Sequence, residues 1–140
     1  MFIPCKTEGG KNPAVLMLPA SAITPKVGMA LYMSDGKLAV ASGTHVAQYI
    51  SMTEAGAALT AGTLIPVIRV LPDILFETGK DGENTMTPGA AYDVASGGLL
   101  VDDDGTDTGN FLCEQIDGSR VFGRFVKLTD DPAPAPAQTV

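Results

Sequence analysis

The chain has 140 residues, 45% hydrophobic, 18% charged and only 6% aromatic with no Trp, which fits one globular domain with a modest aliphatic core. Nine Lys and Arg against 16 Asp and Glu give a net charge of −7, a balance that repels phosphate backbones and anionic lipid and argues against nucleic acid or a membrane as partner. Uncharged stretches fall short of the ~20 apolar residues of a membrane span, and the first residues lack the basic-then-apolar pattern of a secretory signal. Synthesis in a cytoplasm is the expectation.

Residues 1–23 carry Phe2, Ile3, Val15, Leu16, Met17 and Leu18, interrupted by Pro4, Pro13, Pro19 and the polar run Glu8-Gly9-Gly10-Lys11. This pattern predicts an extended N-terminal arm that needs a surface to lie on. Residues 24–128 read as a β-rich domain. Its strongest local signal is MALYMS-DG-KLAVAS over 29–42, two strand-compatible runs joined by Asp35-Gly36, the dipeptide of tight hairpins. Further strands are expected at 47–52, 63–71, 74–78, 91–95, 99–101, 110–116 and 120–128, mostly bounded by Gly, Pro, Asp or Ser. Pro66 cannot donate a ladder hydrogen bond, which predicts a sheet edge or a bulge there. The one helix-like stretch, Thr53 to Leu59, is limited by Gly56 and Gly62 to about two turns. Residues 129–140, Asp-Asp followed by alternating Pro and Ala, read as a low-complexity tail.

The domain also repeats. Thr24-Pro25 returns as Thr87-Pro88, Ser34-Asp35-Gly36-Lys37-Leu38 as Ser96-Gly97-Gly98-Leu99-Leu100, and Gly43-Thr44 as Gly105-Thr106. An apolar strand follows each, AQYISM or NFLCEQI, and then a strand containing an arginine, Arg69 or Arg124. Two similar hairpin units of four short strands predict a small antiparallel β-barrel or sandwich, in which each half needs the other half or a neighbouring subunit to cover its apolar face. Arg69 and Arg124 admit two readings, charges snorkelling to the rim or ion pairs at a subunit interface.

No catalytic constellation is visible. His45 is the single histidine, and a nucleophilic dyad would need Cys5 or Cys113 beside it; a solvated loop histidine is the plainer expectation. The two cysteines lack metal-ligand spacing and read either as one bridge or as free thiols. In Asp102-Asp103-Asp104-Gly105-Thr106-Asp107 an EF-hand register would place Leu100 and Phe111 where acidic ligands belong, so the run reads as a solvated turn. No metal, no cofactor and no enzymatic activity are expected.

The hairpin GMALYMSDGKLAVASG, the following AQYISM and the later LIPVIRVLPDILFE resemble the small head-decoration, or cement, proteins of tailed bacteriophages, of the lambda head-decoration type. The likeness covers Thr24 to Leu128; the second unit and the Pro-Ala tail depart from the compact type. The resemblance implies a structural homotrimer on the virion exterior, at threefold positions of the expanded head. Its partner would be the major capsid protein, and its role to hold the shell against genome pressure. It further implies a capsid-binding arm over residues 1–23, with Phe2, Ile3, Val15, Leu16, Met17 and Leu18 making the contact. The alternatives are another virion β-module, of tail or baseplate, and a surface carbohydrate-binding domain, the latter disfavoured by having only Tyr32, Tyr49 and Tyr92 besides five Phe.

Overall fold

A computed structural model describes residues 1–9, 12–104 and 109–127. The expected tail over 129–140, Leu128 and the Gly105-Thr106 of the second repeat lie outside the described residues. The hairpin expected around Asp35-Gly36 is present: β3 (Ala30–Ser34) pairs antiparallel with β4 (Lys37–Val40) from Leu31↔Val40 to Ser34↔Lys37. Asp35 and Gly36 have φ of 51° and 78°, the left-handed pair that matches the twist of a two-residue hairpin.

Around this hairpin the chain folds into two mainly antiparallel sheets, and no helix occurs among the described residues. One sheet runs in the order β2 (Val15–Pro19), β6 (Leu64–Arg69), β5 (Tyr49–Ser51), β3, β4. The other runs β1 (Ile3–Thr7), β7 (Ile74–Asp81), β11 (Arg120–Phe125), β10 (Phe111–Asp117), β8 (Ala91–Tyr92), and β9 (Val101–Asp102) pairs in parallel with β7. The segment expected to be helical is not, because its amides are spent elsewhere. Ala55 N–H donates to Pro25 C=O and Leu59 N–H to Ile23 C=O, both at 2.8–2.9 Å.

Pro66 is a second departure. It lies within β6, between β2 and β5, and not at an edge. Its C=O accepts the N–H of Met52 at 2.9 Å. Because both polar groups of a strand residue face the same neighbour, its nitrogen faces Met52 too, one residue beyond the end of β5. The missing N–H therefore falls where the ladder is already ending.

The same pairings occur twice along the chain. Leu18↔Ile65, Leu31↔Tyr49, Tyr49↔Arg69 and Met33↔Leu38 in the first half correspond to Thr78↔Val121, Tyr92↔Phe111, Phe111↔Phe125 and the bridge Val94↔Val101 in the second. The parallel bridge Ala20↔Leu38 corresponds to the parallel pair Lys80↔Val101. Each half thus has five strands, since β2 and β7 precede the hairpins read from the sequence. The register also moves one correspondence. The position of Arg69, opposite Tyr49, is held in the second half by Phe125, whereas Arg124 sits opposite Leu112.

The N-terminal residues depart most from expectation. They are extended, but what they lie on is this chain: β1 pairs with β7 and β2 with β6. Phe2 is buried in the core between the sheets, its ring 5.6 Å from that of Phe111 and 5.2 Å from that of Phe125, and Phe76 lies 5.3 Å from Phe125. Ile50, Ile68, Val70, Ile74, Val101 and Val121 complete this cluster. A second cluster, on the opposite face of the five-stranded sheet, gathers Leu31, Leu38, Ile65 and Val67 with half-buried Leu16 and Leu18. Strand β6 is buried on both faces at Val67 and Ile68, which is why it reads as a nearly continuous apolar run.

Two stability measurements follow from this packing. Phe2→Ala leaves a hole beside two rings and is expected to cost about 3–5 kcal/mol in urea unfolding. Gly36→Ala meets no atom within 4 Å, so its expected cost, about 1–2 kcal/mol, comes from the positive φ alone.

Candidate interaction surface

The groups from which catalysis would be built are occupied structurally. His45 is half-buried and stacks on Tyr32, with ring centroids 4.1 Å apart and planes at 12°. Both thiols are free, Cys5 exposed on β1 and Cys113 buried between the sheets. The Cys5 thiol donates to Leu75 C=O at 3.3 Å. Burial pushes both thiols upward, reinforced at Cys5 by the charge of Glu77 and at Cys113 by that of Glu114, opposite to the shift that activates a nucleophile.

The carboxylates of Asp102, Asp103 and Asp104 lie within 4.8 Å of one another. Asn84 organises them: its backbone N–H donates to Asp103 Oδ2 at 2.9 Å, and its Nδ2 donates to Asp103 Oδ1 at 3.3 Å and to Asp104 Oδ1. Asp104 N–H donates back to Asp102 at 3.0 Å. Asp103 is buried, so the run is not wholly a solvated turn; one of its carboxylates pins the loop after β7 to the loop after β9.

Of the six residues expected on a capsid-binding arm, three face inward. Phe2 is in the inter-sheet core, and Leu16 and Leu18 pack into the second cluster. Their burial follows from alternation: on β2, Leu16 and Leu18 lie opposite Val67 and Ile65, whereas Val15 and Met17 point to the other face. Ile3 is 45% exposed but lies opposite Glu77 in the other sheet, whereas Val15 is 59% exposed and Met17 56%. Leu64, 56% exposed and paired with Pro19, and Met52, 40% exposed beside Pro66, extend the same apolar face. Sequence reading missed Leu64 and Met52, although residues 55–68 hold no charged side chain. A groove of about 310 Å³ separates the edges of β1 and β2, walled by Pro4, Cys5, Pro13, Val15, Met52 and Ile68.

Both arginines act within this chain. Arg124 is bound by Glu8 at 3.0 Å, by Glu114 at 2.9 Å and by the carbonyl of Pro72 at 3.1 Å. The bonds from Glu8 and Glu114 raise its guanidinium above the ordinary value. It joins the end of β1 to β10 and the turn before β7. Arg69 is exposed and lies over the Tyr49 ring, 5.9 Å from the centroid. Glu77 and Arg120 form a further ion pair across β7 and β11.

The repeat gives these residues a comparison. Met17↔Pro66 and Pro19↔Leu64 in the first half correspond to Glu77↔Phe122 and Gly79↔Arg120 in the second. Where the second half presents the ion pair Glu77–Arg120, the first presents Met17 and Leu64. Met52, opposite Pro66, corresponds to Gln115, opposite Phe122, and the second half inserts Glu114 just before it as the extra residue of a bulge. One outer face is charged and solvated; its counterpart is apolar and, among the described residues, exposed. No family, curated protein or solved structure matches this chain.

The bond from Arg120 holds the Glu77 carboxyl below its ordinary value of 4.5. Its stabilising contribution is therefore complete above that value and lost as pH falls through the lowered one. The gap in urea midpoint between wild type and Glu77→Gln should hold from neutral pH down to the ordinary carboxylate range and narrow below it.

Proposed function

We propose that this protein is a structural subunit that docks on a larger protein lattice through the outer face of its first half, as a bacteriophage head-decoration protein docks on the expanded shell. The observation that carries the reading is the substitution of exposed Met17 and Leu64 for the Glu77–Arg120 ion pair at matching places in the two halves. A solvated β surface is kept soluble by charge. A face that lacks it, flanked by Val15 and Met52, is built for contact. The resemblance of the hairpin and its following strands supplies the kind of lattice: the major capsid protein, met on the virion exterior by three copies at a threefold. In this reading each half is a small barrel, and the pair of barrels forms a rigid plug whose apolar face spans neighbouring capsomers.

Residues 1–23 enter this reading differently from a free arm. Their contact residues are Val15 and Met17, presented from β2, while Phe2, Leu16 and Leu18 hold the two N-terminal strands to the domain; Ile3, opposite Glu77 in the other sheet, lies off the docking face. Deleting the segment would remove part of the core and test folding instead of docking.

The experiment is to add the purified protein to undecorated expanded phage heads and measure occupancy by imaging, alongside a Met52→Glu, Leu64→Glu variant. Both positions are exposed, so the variant is expected to keep the wild-type circular dichroism and to lose most of its occupancy. Equal occupancy by the folded variant would overturn the reading.

A further inference from the structure

The first half differs from the second at its edge as well as on its face. In the second half β7 is flanked on both sides, by β11 and by β1. In the first half β2 has β6 on one side; on the other, among the described residues, β4 reaches it at the bridge from Ala20 to Leu38 and lies close to its end, and no strand pairs with Val15 or Met17 there. The polar groups left along that edge follow from the ladder. Pro66 and Val70 turn their backbone groups toward β5 and the residues flanking it, bonding Met52 and Gln48 at 2.9 Å, so Ile65 and Val67 turn theirs toward Leu18 and Leu16 of β2. Val15 and Met17, the alternate residues, therefore aim their N–H and C=O groups away from the sheet.

The sequence around this edge is close to a palindrome: Pro13-Ala14-Val15-Leu16-Met17-Leu18-Pro19. Reversed about Leu16, it sets Val15 opposite Met17 and Pro13 opposite Pro19. Residues 12–25 carry no charge, so two copies of an acidic chain meet here without placing like charges together.

We propose that β2 pairs antiparallel, edge to edge, with β2 of a second copy of this chain, about a twofold axis through Leu16. Val15 then exchanges both of its backbone hydrogen bonds with Met17 of the partner, and Met17 with the partner's Val15, using four donors and four acceptors. The prolines fix the register. A shift by two residues in either direction sets Val15 against Pro19 or Met17 against Pro13, and a proline has no N–H to give. The same prolines end the ladder on both sides, so the contact closes at two copies, as an isologous interface must. The two five-stranded sheets join into one, and Val15, Met17 and Leu64 of both copies come onto one continuous outer face. The pairing uses the edge and leaves that face free, so it is independent of docking on a shell.

The test is the solution mass of the full chain by light scattering over a range of concentrations, with hydrogen exchange at Val15 and Met17. The wild type is expected to be an even multiple of 14.4 kDa, two copies, or six where the threefold assembly also forms in solution, with both amides protected at high concentration. Met17→Pro removes an outward N–H and breaks no bond to β6; it should halve the mass and release the Val15 amide, with circular dichroism unchanged. Leu64→Glu, on the face but not the edge, should leave the mass intact. A monomer at every concentration, or a mass that folded Met17→Pro leaves unaltered, would overturn the pairing. A three-copy assembly insensitive to Met17→Pro also overturns it while leaving the head-decoration reading standing. Loss of head binding by the Met52→Glu, Leu64→Glu variant with the even-numbered mass preserved separates the two in the other direction.

Discussion

The packing of Phe2 against Phe111 and Phe125 is the contact on which the arrangement of this molecule depends. Aromatic side chains are few in this sequence, and four of its five phenylalanines meet in one cluster between the sheets. Tilted and edge-on ring contacts with centroids 5.1–5.6 Å apart favour the positive ring edge against a neighbouring face, beyond the gain from burial alone. Phe2 comes from the start of the chain, Phe76 from the middle and Phe125 from near the last described strand. A single cluster thus binds the two halves and the N-terminal strand. Ile50, Ile68 and Val70 enter it from the outer face of the five-stranded sheet, so the first half lends part of its exterior to roof the interior of the second.

That loan leaves the halves unequal. The portion of the first half's outer face nearest β5 is covered by the second half; the portion nearest β2 is not. The second half fills its comparable surface with Glu77, Arg120, Glu114 and Arg124, whose bonds run within the chain. A duplicated pairing scheme with divergent outer residues leaves one half with a charged, solvated exterior and the other with an apolar one.

The legible parts of the fold were those set by local chemistry. Asp35-Gly36 specified its hairpin because positive φ at two successive positions suits few other dipeptides. The strand positions followed from Gly and Pro punctuation, and the recurrence of Thr-Pro and of the Gly turns disclosed the doubling. What was hidden depended on partners distant in sequence. Val15 to Leu18 reads as a uniform apolar run, and only pairing with β6 decides that Leu16 and Leu18 go inward while Val15 and Met17 stay out. Phe2 carries no signal of its own, since nothing near it in sequence indicates rings more than seventy residues away. Pro66 reads locally as an edge or a bulge because the shortness of β5, which lets a central strand tolerate it, is a property of another segment. The arginines were aligned by their place in similar strings, whereas the ladder register displaces one of them by a residue.

The pairing of β1 with β7 also bears on the order of assembly. Cys5 and Leu75 are hydrogen-bonded although 70 positions apart, and the rings that touch Phe2 lie later still. Strand β1 can join its sheet only once β7 exists, and the ring cluster can close only once β10 and β11 have followed. Pairings so distant in sequence must overcome a large loop-closure entropy before they reward it, a reason for such a molecule to fold slowly.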